Sequence, residues 1–150
     1  MTLVDNPGQR HELGILLFVA NRALEQRAFD AVVAAGFTDI TPAQARVAAR
    51  IGPDGSRVTD LAEQARVTKQ SAAFLVEQLE AAGYVERVPD PTDGRARLVR
   101  LTSRARHVVQ AADAEVERVL AEWSDHVGER RLGQMHETLR DLRAITDPWR

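Results

Sequence analysis

Over residues 9–35 the apolar positions Ile15, Leu16, Val19, Ala20, Ala23, Leu24, Ala28, Ala31, Val32 and Ala35 recur at helical spacing. That pattern predicts one long amphipathic helix, stopped at Gly36 where a C-terminal cap belongs. A second helix begins at "TPAQ": Thr41 can cap it, Pro42 suits its first position and Gln44 completes a capping box. Turn residues "GPDG" at 52–55 close it. Two short helical segments follow at 59–65 and 68–83, each opening on a threonine able to cap it, Thr59 and Thr68. Only Arg66 and Val67 lie between them, which forces a tight helix–turn–helix.

After Gly83 the pattern changes. "YVERV" (84–88) reads as a strand, "PDPTDGRA" (89–96) as a turn-rich loop and "RLVRL" (97–101) as the returning strand. Thr102 then caps a long helix bearing Val108, Val109, Ala112, Val116, Val119, Leu120 and Trp123. Beyond "HVGE" a last helix carries Leu132, Met135, Leu139, Leu142 and Ile145. The predicted fold is mainly α with a small β-hairpin wing, in one domain over 1–150.

Composition changes this picture in few places. A chain of 150 residues suits one domain. No apolar run approaches the ~20 residues of a membrane span. "MTLVDNPGQRHELG" lacks the layout of a signal peptide, so a cytoplasmic protein with no membrane partner is the expectation. The absence of cysteine removes disulfides and thiol chemistry. Net charge is only -2, yet residues 66–106 carry a net +3 between acidic flanks of -2 and -3. The basic middle points to a local anion-binding face.

On the 68–83 helix, Ala72, Leu75, Val76 and Leu79 fall on one face and pack inward. The opposite face near its N-terminus offers Thr68, Lys69, Gln70, Ser71, Ala73 and Phe74. Small and polar residues there suit a recognition helix entering a major groove. Gln70 could bond an adenine edge, Lys69 a guanine or a phosphate, and Ser71 either. Phe74 either presses on a thymine methyl or, with the helix turned slightly, belongs to the core.

A hairpin directly after a helix–turn–helix is a wing, and its tip reaches toward the neighbouring minor groove. Arginine suits that narrow, negative groove, which makes Arg95 and Arg97 contact candidates, with Arg87 nearer the root. Asp93, across Gly94 from Arg95, is expected to aim the guanidinium through a charge-assisted bond. Asp90 is expected to serve the turn by bonding backbone amides. The competing reading is a solvated loop whose ion pairs contribute at most ~1 kcal/mol.

With these residues in place, the stretch 67–102 resembles the core of MarR-type winged-helix regulators. The "L..LE..GYVER" run from Leu75 to Arg87, the wing pattern at Asp90, Asp93, Gly94 and Arg95, and the closing Leu101–Thr102 carry the likeness. The resemblance implies a winged helix-turn-helix DNA-binding region at 41–106. It further implies dimerisation helices at 9–36 and 103–147, and a homodimer on a palindromic operator in double-stranded DNA. The expected function is that of a transcriptional regulator, a repressor in preference to an activator. Ala73–Phe74 depart from the pattern, where a serine and a basic residue are common. Many relatives release DNA on binding a small aromatic or lipophilic effector, and Phe18, Arg22, Phe29, Phe37 and Trp123 could line such a cleft. An apolar residue on such a helix is more often plain core.

Other classes fit less well. His11, His107, His126 and His136 make no metal-ligand spacing, and no glycine-rich phosphate loop occurs, so neither metal, cofactor nor catalysis is expected. The main rival is a winged-helix module for protein–protein contact without specific DNA binding. Against it stand Lys69, Arg87, Arg95, Arg97 and Arg100, all in or beside the motif.

Overall fold

A computed structural model describes residues 7–147. Six helices and one hairpin run in the order α1 (Pro7–Ala34), α2 (Pro42–Ala48), α3 (Val58–Ala65), α4 (Lys69–Ala81), β1 (Val85–Asp90), β2 (Asp93–Leu101), α5 (Ser103–Val127) and α6 (Glu129–Thr146). The helix starts follow the local chemistry. Thr41 and Gln44 form the full capping box of α2, and the Thr68 and Thr102 side chains cap α4 and α5.

Two expectations change. α3 starts at Val58 with Arg57 in the cap position and no side-chain cap, so Thr59 lies inside its first turn. The hairpin is also longer than the 84–88 and 97–101 strands read from sequence. Its ladder continues to Pro89 opposite Arg97 and Asp90 opposite Asp93, leaving only Pro91 and Thr92 in the turn. Proline is tolerated in β1 because that strand has no neighbour on its outer side.

The core lies where α2, α3 and α4 meet the root of the hairpin. Val47, Leu61, Val76, Leu79, Tyr84 and Val99 are its largest fully buried side chains. Residue 56 adds a bridge to β2: Ser56 and Val99 exchange N–H···O bonds of 2.9 and 2.8 Å. The approach needs Gly55, where φ is +95° and a Cβ would meet Leu98 Cβ at 3.1 Å and Val99 O at 3.2 Å. Above this head α1 packs along α5. There Arg27 donates to Glu115 at 2.5 Å and to Glu122 at 2.6 Å.

One part of the chain is not covered. Leu13, Ile15, Leu16, Leu17, Phe18 and Val19 on α1 are exposed, as are Met135, Leu139, Leu142 and Ile145 on α6. No residue of α6 is buried.

Candidate nucleic-acid interface and a neighbouring cavity

The N-terminus of α4 is built from its cap outward. Thr68 Oγ1 accepts the Ser71 N–H at 3.0 Å, and the Thr68 hydroxyl donates to Ser71 Oγ at 2.8 Å. Ala72, Val76 and Leu79 are buried beneath, which fixes the rotation of the helix. Thr68, Lys69, Gln70 and Ser71 are exposed and Ala73 is half-buried. Phe74 is 58% exposed, so the core alternative for it fails in the single chain.

On the hairpin the arginines divide by partner. Arg100 donates to Glu86 across the strands at 2.7 Å, and Arg87 to Glu80 of α4 at 3.1 Å. Arg95 and Arg97 are exposed and, like Lys69, have no carboxylate partner among the described residues. The Asp93 carboxylate does not hold the Arg95 guanidinium as expected. It accepts the Arg95 backbone N–H at 3.1 Å, because two residues on it reaches the amide of its own turn first. The guanidinium is left unengaged.

The side chain that anchors the wing is Asp90. Its Oδ1 accepts the Thr92 N–H at 2.8 Å and the Thr92 hydroxyl at 2.7 Å, as expected of a turn residue. Its Oδ2 accepts from Arg57 Nε at 2.9 Å and Nη2 at 2.6 Å, which ties the tip to the start of α3. Sequence reading missed Arg57, for nothing local links residues 33 positions apart. The bonds from Thr92 and then Arg57 hold the Asp90 carboxyl at about 2, below its ordinary 3.8. A depressed carboxyl stabilises the fold above its unfolded pKa and loses that contribution as pH falls through the folded one. Asp90→Asn is therefore expected to lower the urea midpoint at neutral pH, with the gap to wild type closing between about pH 4 and 2. Parallel melts over that range check it, and a gap independent of pH would show that the carboxylate anchors nothing.

Between α1, α2, α5 and the hairpin root lies a cavity of about 260 Å³. Its wall is mostly aliphatic, with Val32, Ile40 and Val108 among the lining residues. Of the cleft residues expected from sequence it collects Arg22 and Phe29. Phe18, Phe37 and Trp123 fall outside it. Phe37 packs on the core, Trp123 sits half-buried on α5, and Phe18 stands exposed under Arg22, whose guanidinium lies 5.7 Å from its ring. Sequence reading missed Arg46 and Tyr84, which line the same space. The Tyr84 hydroxyl donates to Asp39, and Arg104 lies 4.6 Å over its ring while donating to Asp39 at 2.7 Å. Burial and that bond push the phenol pKa up, while the Asp39 carboxyl is held down, chiefly by Tyr84.

A capped helix–turn–helix with exposed polar residues at the start of its second helix, followed by a hairpin with unpaired arginines, forms a winged helix-turn-helix. Residues 38–96 match the MarR family. The transcriptional activatory protein BadR of Rhodopseudomonas palustris is 32% identical over 94 residues, which are 63% of this chain and 53% of that protein. The chain spans about half the length of the curated relatives it matches. A MarR family protein from Bacillus stearothermophilus shares the fold with a TM-score of 0.72 at 21% identity, over 93% of this chain and 96% of its own. CouR from Rhodococcus jostii RHA1, solved bound to p-coumaroyl-CoA, does so with a TM-score of 0.66 at 23% identity, over 91% and 92%. The likeness to the MarR family thus covers residues 38–96 in sequence and nearly the whole described chain in fold. Among the described residues no group of acidic and histidine side chains could hold a metal, and no helix is long and apolar enough to cross a membrane.

Proposed function

We propose that the protein is a cytoplasmic homodimer that binds a palindromic operator in double-stranded DNA and regulates transcription there. The observation that carries this is the pairing of charge on the head. Arg57, Arg87, Arg100 and Arg104 hold carboxylates, whereas Lys69, Arg95 and Arg97 are exposed without one among the described residues. Unpaired cations on a recognition helix and a wing are poised for phosphates and groove edges. Asp93 acts in this reading by shaping the turn that carries Arg95. Thr68, Gln70, Ser71, Ala73 and Phe74 form the base-reading surface, and Arg87 contributes at the wing root.

Dimerisation is favoured by the apolar residues that α1 and α6 leave exposed. Helices presenting that much hydrocarbon to water bury it against a second copy. Repression follows most simply from occupying an operator, although BadR is by name an activatory protein. An effector is favoured by the cavity, whose aliphatic wall and two cations without carboxylate partners among the described residues, Arg22 and Arg46, suit a lipophilic acid. CouR was solved bound to p-coumaroyl-CoA, which carries an aromatic acyl group.

Selection of bound sequences from random duplex DNA is expected to return a palindrome with half-site centres about one helical turn apart. Affinity for it should fall steeply with salt, as phosphate contacts require. No enrichment from a folded, dimeric sample would favour the protein-binding module instead.

A further inference from the structure

Three times among the described residues a helix ends in the same hydrogen-bonded cap. After α1, Gly36 and Phe37 donate to Val33 and Val32; after α4, Gly83 and Tyr84 donate to Glu80 and Leu79. After α3, Arg66 and Val67 donate to Glu63 and Ala62 at 3.1 and 3.0 Å. This cap requires a left-handed residue at its first position, where glycine is favoured because it has no Cβ to clash. Gly36 and Gly83 take it with φ of 98° and 79°. At the helix–turn–helix corner the position is filled by Arg66, with φ 53°. Among the described residues no other side-chain-bearing residue has a positive φ.

The side chain at this corner makes no interaction that would explain its presence. Arg66 is exposed and forms no ion pair or side-chain hydrogen bond among the described residues. Its guanidinium therefore does nothing for the fold. What distinguishes this corner from the other two is its place, two residues before the Thr68 cap and three before Lys69. Strain kept at a single position, with no structural return, points to function at that position.

We propose that Arg66 is a DNA-contacting residue of the reading head, binding a backbone phosphate beside the entry of α4 into the major groove. This rests on the DNA-binding reading above. An arginine there extends the cationic surface of Lys69, and its permanent charge and planar fork suit a phosphate oxygen pair. The corner then trades stability for affinity.

The test uses the full chain and the duplex selected by the wild-type protein. Arg66→Gly, Arg66→Ala and Arg66→Lys are compared by binding titration across salt concentrations and by urea melts at equal protein concentration. Glycine relieves the backbone, so Arg66→Gly should raise the urea midpoint by roughly 0.3–1 M. Its affinity should nevertheless fall at least about fivefold, with the salt slope shallower by about 0.9 for each phosphate that is no longer neutralised. Arg66→Ala should lose the same affinity without gaining stability, and Arg66→Lys should keep most of it. Wild-type affinity and slope in Arg66→Gly and Arg66→Ala would overturn the phosphate-binding role. No gain in the glycine melt would overturn the trade. If the wild-type protein selects no duplex at all, the DNA-binding reading fails first, and the two failures are told apart.

Discussion

Replacing Arg95 and Arg97 together with alanine is expected to weaken operator binding by about 100-fold, roughly 2.8 kcal/mol. Each wing would lose both of its unpaired cations, and in a dimer the loss counts twice. The salt slope should become shallower by about 0.9 for every phosphate left without its cation. Fold stability should barely move, since substitutions at exposed sites away from caps and pairs usually stay within about 0.5 kcal/mol. Neither side chain supports another residue, so weaker binding would report the DNA interaction itself. A fluorescence titration on the selected operator measures it. Unchanged affinity at every salt concentration would remove the wing from the interface and leave α4 alone to hold DNA.

The second large effect concerns what holds α4 in place. Leu79→Ala should destabilise the protein by about 2–5 kcal/mol, the range for emptying a fully buried leucine site. Leu79 is 0% exposed and lies on the face that α4 turns toward the core. Such a loss is a large fraction of a total stability of about 5–15 kcal/mol. The urea midpoint reads it directly. Binding should fall in proportion to the folded fraction, unlike the wing variant, which stays folded. A loss under about 1 kcal/mol would mean that α4 is not anchored through this residue.

Much of the site was legible in the sequence because its determinants are local. Thr68, three residues before the amide it caps, fixes where α4 begins. The spacing of Ala72, Val76 and Leu79 fixes which face is buried, and hence that Lys69 and Gln70 point outward. The boundaries of the hairpin were less legible. Pro89, Pro91 and Asp93–Gly94 all read as turn chemistry, yet an edge strand can absorb proline and the ladder runs on to Asp90. The residues lining the cavity were the least legible. An aromatic residue on an amphipathic helix looks the same whether it faces a cavity, the core or a second subunit.

The order of the elements, the caps that start them, and the tight turn between α3 and α4 follow from local sequence. These depend on interactions within a few residues, where spacing and side-chain chemistry decide the outcome. How the charges are shared depends instead on the folded arrangement. Asp90 finds Arg57 from 33 positions away, Arg87 turns to Glu80, and the Asp93 carboxylate closes on an amide instead of a guanidinium. An ion pair forms where folding brings its two ends within bonding reach, so which arginines are left unpaired is a property of the folded chain.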